Sequence, residues 1–408
     1  LKCRHCLFSG NQGKGRRLSL SSIKEFMAQT IPLGLNVVLL TGGEPLIHPE
    51  FINIVNLLMG YENIRVAILT NGLLYERHSA LLRKLDRSRI TFQVSLDGNE
   101  TSHDSIRGRG SHAQVRSSIS GIVADGFGCS LAMSVNPHTA HAMKDLVVDS
   151  AALGVRNVHF LWHFRRGHGK LLDVSDMATL TKHLVEAMDA ADASGISIDN
   201  VEAIRSQVFT HIGTRFDLSS AGWDTLTIAP DHKVYPSPAS VGVHALCAGD
   251  SRDGIENLLR NSGVLRKIRS LSVNDIPGIS EDPLRFVTGG GDIDHCFKGS
   301  LDDPGDLTFG DDPYRRIYGE IVLRLIHREA VQFASGGNSS LLLRMGDIVY
   351  DCNNHPDVNF THSNCLLSLA TTGAHKLAGE FYGARAENPD DSILNPIAVD
   401  QSISDIVP

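Results

Sequence analysis

Short apolar runs alternate with helix-like segments over residues 20–165, and this alternation limits the chain to a small number of folds. Short continuous apolar runs are typical of strands buried on both faces of a parallel sheet. One such run spans residues 35–40, and further strands are predicted at residues 64–69, 90–96, 128–135 and 158–162. Apolar residues spaced for one helix face predict helices between them, at residues 51–58, 73–85, 113–124 and 142–153. Repeated βα units of this kind close into barrels or form open doubly wound sheets.

The flanking regions have a different character. A helix through Ile23, Phe26 and Met27, capped by Ser21 or Ser22, is predicted before the first run. Beyond the last run, the pattern predicts a helix over residues 175–193, a β-hairpin over residues 225–236 and a helix over residues 314–333. Residues 249–315 are rich in Gly, Asp and Pro and predict mainly loops. The 408 residues are enough for a barrel of about 200 residues and a second unit.

The bulk composition excludes several classes of protein. The net charge of −8 and the lack of a basic cluster argue against a nucleic-acid partner. No apolar stretch reaches the roughly 18 residues that a membrane span needs. Seven irregularly spaced cysteines argue against a secreted disulfide framework. We therefore expect a cytoplasmic protein with a metal site and no membrane partner.

The sequence begins with a Cys-x-x-Cys pair, Cys3 and Cys6. Two thiolates at this spacing can reach one metal centre, and iron–sulfur clusters, zinc sites and redox disulfides all use the pair. Three further motifs follow three of the predicted strands: Thr41-Gly42-Gly43-Glu44-Pro45, Thr70-Asn71-Gly72 and Val94-Ser95-Leu96-Asp97-Gly98.

Together these motifs resemble the radical S-adenosylmethionine (radical SAM) superfamily, in particular its peptide- and protein-maturing branch with a C-terminal SPASM or twitch extension. The resemblance implies an α/β fold, a partial (β/α)6 TIM-like barrel followed by a smaller α+β SPASM-like extension. The six strands include one expected before Leu1, and the first cysteine of the family's Cys-x-x-x-Cys-x-x-Cys motif would fall two residues before Leu1. The implied cofactors are a [4Fe–4S] cluster and S-adenosylmethionine.

The resemblance also assigns roles to residues at the strand ends. It implies that Cys3 and Cys6 bind the cluster and that Gly42, Gly43 and Glu44 contact the amino group of S-adenosylmethionine. A glycine pair lets the backbone approach a ligand closely. The other candidate ligands of this cofactor are polar residues at later strand ends: Asn71, Ser95, Asp97, Ser134 and Asn136. Turn formation is the alternative role of Asn71 and Asp97, and Arg107 could pair with a carboxylate.

The resemblance divides the chain into four parts. Residues 1–170 are predicted to form the radical SAM partial barrel and residues 171–219 a helical connection that completes it. Residues 220–375 are predicted to form a degenerate SPASM-like region, since serine occupies positions 220 and 237, near which the family usually has cluster cysteines. Residues 376–408 would be a linker or the start of a lost domain, because Gly379–Gly383 resembles the lead-in to a methyltransferase.

A second metal site is left open by the sequence. Its candidate ligands are the cysteines of the C-terminal half, which could converge on a second iron–sulfur cluster or on zinc: Cys247, Cys296, Cys352 and Cys365. The alternative is that they pack as small apolar side chains, as Cys129 in a predicted strand is expected to do.

The main functional hypothesis is a radical SAM enzyme that abstracts hydrogen from a peptide or protein side chain and takes electrons from an external donor such as flavodoxin or ferredoxin. One alternative is a radical SAM enzyme of small-molecule or cofactor biosynthesis. Alternatives from other classes are a zinc or redox Cys-x-x-Cys protein without radical chemistry, and an inactive binding scaffold.

Overall fold

A six-stranded parallel sheet forms the frame of the molecule. The computed structural model describes residues 3–7, 17–172, 176–208, 221–223, 225–334, 342–345 and 348–351. The strands follow one another across the sheet in chain order, and every neighbouring pair is parallel. They are β1 (Val37–Leu40), β2 (Arg65–Thr70), β3 (Ile90–Ser95), β4 (Gly128–Val135), β5 (Asn157–Trp162) and β6 (Ser197–Ile198). This order confirms the predicted α/β fold of repeated βα units.

Helices connect the strands. Those of the sheet are α1 (Leu20–Thr30), α2 (Phe51–Met59), α3 (Tyr75–Leu82), α4 (Glu100–Arg107), α5 (Ser111–Ala124), α6 (Met143–Ala152), α7 (Met177–Ser194) and α8 (Asp199–Val208). The cap of α1 differs from the prediction, which named Ser21 or Ser22. The capping residue is Ser19, whose hydroxyl accepts a hydrogen bond from the Ser22 N–H at 3.1 Å.

The two faces of the sheet have different surroundings. Ile68, Phe92, Leu131 and Phe160 point to the helix-covered face and are fully buried. The register places Ser95, Ala132 and His159 side by side on the other face, which is only partly covered. This second face is therefore the concave interior of an open barrel, and the carboxyl ends of the strands meet at its rim.

Tyr75 at the start of α3 ties this helix to the sheet. Its ring packs edge-to-face on Phe92 and Phe127, with ring centroids 5.4 Å and 6.5 Å away. Its hydroxyl donates to the carboxylate of Asp125 at 2.6 Å, and Arg83 binds the same carboxylate at 3.1 Å. The side chain thus joins an apolar core to a charged rim.

We expect Tyr75→Phe to lower the free energy of unfolding by about 1.5–3 kcal/mol, because it removes a hydrogen bond to a charged group from a fully buried side chain. Urea unfolding of the iron-free protein measures the loss. Tyr61→Phe is the control, since the Tyr61 hydroxyl makes no hydrogen bond within the described part of the chain, and its cost should stay below about 0.5 kcal/mol. Equal losses in the two variants would contradict the assigned role of the Asp125 contact.

A small antiparallel sheet follows the barrel and confirms the predicted hairpin. It contains β7 (Thr227–Ile228), β8 (Lys233–Tyr235) and β9 (Gly249–Asp250). It packs around Val234, Ala248 and Leu258 with two helices, α9 (Ile255–Asn261) and α10 (Gly263–Arg269). The prediction of a loop-rich region was therefore wrong at these two helices, because seven residues are too short for a clear periodic pattern.

Contacts divide the chain into two compact units. The first contains Leu1–Val201, Ser220–Arg269 and Lys298–Thr308, so the small sheet belongs with the barrel. Within this unit the Gln29 side chain of α1 accepts the Ile255 N–H at 2.9 Å. The predicted domain boundaries remain predictions.

The second unit contains Glu202–Ser219, Ser270–Phe297 and Phe309–Pro408. Its described elements are α11 (Arg285–Thr288), α12 (Ile293–Cys296), α13 (Arg315–Ala334), β10 (Leu342–Met345) and β11 (Ile348–Asp351). Arg315 holds this unit together by binding Asp282 and Asp311. Residues 376–408 and the methyltransferase-like segment lie outside the described residues. None of the helices within the described ranges combines the length and apolarity needed to cross a bilayer.

Candidate active site

The loop from Cys3 to Leu7 lies at the rim of the sheet. The Cys6 N–H donates to the Cys3 carbonyl at 3.3 Å, which folds the two cysteines into one turn. The Arg4 N–H donates to the carbonyl of Ile106 in α4 at 3.1 Å. Both cysteine side chains are partly buried, and neither is in a disulfide. The pair is therefore not disulfide-bonded and lies at the strand ends, where βα folds place reactive groups.

A buried ion pair lies behind this loop. The Arg107 guanidinium binds the carboxylate of Asp97, and these side chains are 10% and 0% exposed. The same carboxylate accepts the Ser134 N–H of β4 at 2.8 Å. Arg107 keeps the pKa of Asp97 below its usual value despite complete burial. Burial raises the pKa of the Cys3 thiol, and the positive charge of Arg107 opposes this rise.

Two histidines next to this pair carry buried ring nitrogens without a hydrogen-bond partner in the described structure, Nδ1 of His5 and Nε2 of His103. His103 Nδ1 accepts the Asp97 N–H at 3.1 Å, so the proton of the neutral ring is on Nε2. Burial lowers the pKa of both histidines to about 4. An unpartnered polar atom inside the cysteine loop fits a site that completes its polar contacts with a bound group.

The glycine pair after β1 leaves open space. A Cβ atom on Gly42, where φ is +125°, or on Gly43 would meet no atom within 4 Å. The following Glu44 carboxylate is largely occupied: it accepts from the Leu46 N–H at 3.1 Å, the Thr70 hydroxyl at 2.7 Å and the Asn71 N–H at 2.8 Å. Burial raises the pKa of Glu44, against the effect of these hydrogen bonds. Glu44 thus links the ends of β1 and β2 and keeps a limited acceptor capacity for a ligand.

The remaining predicted residues divide into two kinds. The Ser95 hydroxyl makes no hydrogen bond to the described part of the protein, so it can bind a ligand. Asn71 and Asn136 instead stabilise turns, because their side-chain oxygens accept the N–H groups of Leu73 and His138 at 3.0 Å and 2.9 Å. Ser134 is buried, and its carbonyl accepts the Asn136 side-chain amide at 3.2 Å.

The structure brings the predicted residues into two contacting groups. Glu44 meets Asn71, and Asp97 meets Ser134, which in turn meets Asn136. Sequence reasoning missed His5, His103 and His168 as neighbours of the cysteines. Only the position of His5 between the cysteines could have indicated such a role.

The second metal site remains a prediction. Within the described ranges, no group of three or more His, Cys, Asp or Glu side chains is arranged to hold a metal ion. Cys247 is half-buried in the first unit, and Cys296 is fully buried in the second. Cys352 and Cys365 lie outside the described residues, as does Ser220. The Ser237 hydroxyl accepts the Ser240 N–H at 3.1 Å and so caps a helical turn.

A family model supplies the decisive comparison. Residues 1–149, which include the cysteine pair, the glycine pair and Asp97, match the model of the radical SAM superfamily. These residues form a radical SAM domain. This confirms the resemblance drawn from the motifs, and the cofactors of this family are a [4Fe–4S] cluster and S-adenosylmethionine. The disulfide-free cysteine pair, the unpartnered His5 nitrogen and the open space at Gly42 and Gly43 fit these two groups.

Individual relatives extend the comparison. The chain is 27% identical over 238 residues to the antilisterial bacteriocin subtilosin biosynthesis protein AlbA of Bacillus subtilis, covering 58% of this chain and 52% of AlbA. It is 23% identical over 282 residues to the mycofactocin maturase MftC of Mycobacterium tuberculosis, covering 66% of this chain and 69% of MftC. The chain thus spans about half of AlbA. Native anSMEcpe with bound AdoMet and a Kp18Cys peptide has the same fold, with a TM-score of 0.65, 16% identity and coverage of 82% and 96%.

Proposed function

We propose that the chain is a radical SAM enzyme that abstracts hydrogen from a peptide or protein side chain. The observation that carries this proposal is the disulfide-free Cys3 and Cys6 pair at the strand ends of a domain that matches the radical SAM family. Bacteriocin biosynthesis by AlbA, mycofactocin maturation by MftC and the peptide bound to anSMEcpe support a peptide substrate. The match to the family argues against a zinc or redox Cys-x-x-Cys protein without radical chemistry.

Different residues of the site would bind the cluster, bind S-adenosylmethionine and shape the site. Cys3 and Cys6 would bind the cluster as thiolates, a state that the charge of Arg107 favours at Cys3. The backbone at Gly42 and Gly43, the free acceptor capacity of Glu44 and the Ser95 hydroxyl would bind S-adenosylmethionine. Asn71, Asp97, Ser134 and Asn136 would shape this site through the turns and the ion pair described above. When bound, these cofactors supply a 5′-deoxyadenosyl radical after one-electron reduction.

The concave face of the sheet would hold the substrate. The row of Ser95, Ala132 and His159 crosses this face just below the rim. Neighbouring strands are about 4.8 Å apart, so Ser95 and His159 are separated by about 10 Å. Ala132 between them leaves room for a substrate group next to the cofactor. We also propose an external electron donor such as flavodoxin or ferredoxin. A cytoplasmic location is proposed too, and the odd number and irregular spacing of the seven cysteines support it.

Anaerobic reconstitution with iron and sulfide of protein expressed from the full reading frame tests this function. We expect about four irons per chain, an electron paramagnetic resonance (EPR) signal that changes on addition of S-adenosylmethionine, and release of 5′-deoxyadenosine on reduction. Cys6→Ala should lose the iron, whereas Cys129→Ala, in β4, should retain it. About eight irons would show a second cluster. Zinc or no metal in the wild-type protein would overturn the proposal.

A further inference from the structure

The segment after β5 returns to the cysteine loop. We call residues 163–171 the β5 strap. The His168 N–H donates to the Cys6 carbonyl at 2.9 Å, and Nδ1 of its ring lies 3.4 Å from the Cys3 carbonyl oxygen. Because a carbonyl can only accept, this geometry requires the proton of the ring on Nδ1. One residue of the strap thus contacts the backbone of both cysteines.

Glycines in the strap allow this close approach. At Gly167, where φ is +57°, a Cβ atom would overlap the carbonyl oxygens of Cys6 and Leu7. At Gly169 a Cβ atom would lie 2.6 Å from the Phe164 carbonyl oxygen and 3.4 Å from that of His5. The strap therefore lies against the cysteine loop at residues 167–169. A side chain at Gly167 would require one of the two segments to move, and a side chain at Gly169 would clash within the strap.

The strap is itself anchored in the barrel. Nε2 of His163, a side chain only 4% exposed at the end of β5, lies 2.9 Å from the Gly169 carbonyl oxygen. This contact closes the strap into a compact turn. The Arg4 N–H bond to Ile106 fixes the cysteine loop to α4 on the other side. The loop is thus held between the fourth helix and the fifth strand.

We propose that the β5 strap positions the cluster-binding loop, with His168 as the positioning residue for Cys3 and Cys6. This inference rests on the proposed function, because it assigns the strap to the cluster ligands. The strap fixes the two carbonyl groups and thereby sets where the thiolates of the same residues can reach. A loosened strap leaves the thiols present and reduced but lets the loop move away from the position that binds metal.

The test compares His168→Ala with His168→Asn in the reconstituted, reduced protein. His168→Ala removes the Nδ1 donor, and iron should pass to a chelator about tenfold faster than in the wild type. The EPR spectrum of the cluster should also change, which a general loss of stability does not produce. His168→Asn keeps an N–H donor at a similar reach, so its chelation rate and spectrum should return to within about twofold of the wild type. His138→Ala, at an exposed histidine, is the control and should behave as the wild type.

Gly167→Ala gives a second, independent test. Its matched control is Gly34→Ala, because φ of Gly34 is +89° and an added Cβ would meet no atom within 4 Å. Both variants carry backbone strain, but only Gly167→Ala displaces the cysteine loop. Gly167→Ala should bind less than half of the wild-type iron, and Gly34→Ala all of it. If Gly167→Ala does not fold, the comparison of His168→Ala with His168→Asn alone tests the role of the strap. Iron-free wild-type protein would refute the proposed function. A loaded wild type whose His168→Ala and Gly167→Ala variants retain iron and spectrum would refute only the strap.

Discussion

Arg107→Met is expected to lower the free energy of unfolding by about 3–5 kcal/mol, because it leaves the carboxylate of Asp97 buried without its cation. Asp97 is fully buried, and its other contact through the side chain is the single N–H of Ser134. Methionine keeps the length and apolar bulk of the arginine stem, so the loss reports on charge and not on packing. Urea unfolding of the iron-free protein, followed by the fluorescence of buried Trp162 in β5, measures it.

A matched ion pair on the surface serves as the control. Arg116 binds Asp149 at 2.5 Å, and these side chains are 31% and 29% exposed. Arg116→Met thus also removes the cation of an ion pair, but at a more hydrated position. We expect it to lower the free energy of unfolding by less than about 1 kcal/mol. Asp97→Asn in the Arg107→Met background should recover part of the loss, because the amide oxygen still accepts the Ser134 N–H without a charge. Equal losses for Arg107→Met and Arg116→Met would contradict the role of the buried pair.

The second large effect is a loss of stability between about pH 6.5 and pH 4. The pKa of His103 in the folded protein is lowered to about 4, because burial outweighs the attraction of Asp97. In the unfolded chain the histidine pKa is near 6.5, so the unfolded state binds the proton at a higher pH than the folded state does. The free energy of unfolding therefore decreases as the pH falls below about 6.5. A difference of about 2.5 pKa units corresponds to roughly 3 kcal/mol for this one fully buried residue.

Asn in place of His103 isolates this contribution. In His103→Asn the side-chain oxygen can still accept the Asp97 N–H, but the new side chain does not titrate. The unfolding free energy of the iron-free variant, measured from pH 7 to pH 4, should therefore fall by about 3 kcal/mol less than that of the wild type. His138→Ala should keep the wild-type profile. An unchanged profile in His103→Asn would show that other groups cause the acid sensitivity.

The sequence predicted the parts of the fold that its apolar pattern marks. Strands β1 to β5 each carry apolar residues in a short run or in alternation, and each formed near its predicted place. Strand β6 has only Ser197 and Ile198 and shows no run. Next to it, the Asn200 side chain replaces the strand pairing, accepting the Phe160 N–H at 2.8 Å and donating to the Phe160 carbonyl at 2.9 Å. The six strands described in the parallel sheet therefore include β6. The prediction had reached six by counting a strand before Leu1.

Helix α4 was missed for a related reason. Its eight residues are almost all polar, and what starts the helix is the Asn99 side chain, which accepts the Ser102 N–H at 3.1 Å. Periodicity cannot detect a helix that buries so little apolar surface. The same helix carries Arg107, so the missed element is also the one that places a charge next to the cysteines.

The site was predictable in composition and less so in connectivity. The cysteine pair, the glycine pair and Ser95 lie at strand ends, as motif and spacing indicated. That Glu44 accepts from Thr70 and Asn71, or that His168 reaches the cysteines, depends on which strand ends become neighbours when the barrel closes. Such contacts follow from three-dimensional closure and leave no pattern in the linear chain.

The strap also sets an order of events during synthesis. Cys3 and His168 are separated by 165 positions in the chain, so the contact between them forms only after five strands have left the ribosome and assembled. Until then the cysteine loop is tethered only through segments made earlier, such as α4. Metal delivered to the emerging chain would meet two unrestrained thiols, whereas metal delivered after release would meet a shaped site. Maturation of the cluster is therefore coupled to assembly of the first five strands, and a chain arrested before the strap would be a poor acceptor of iron.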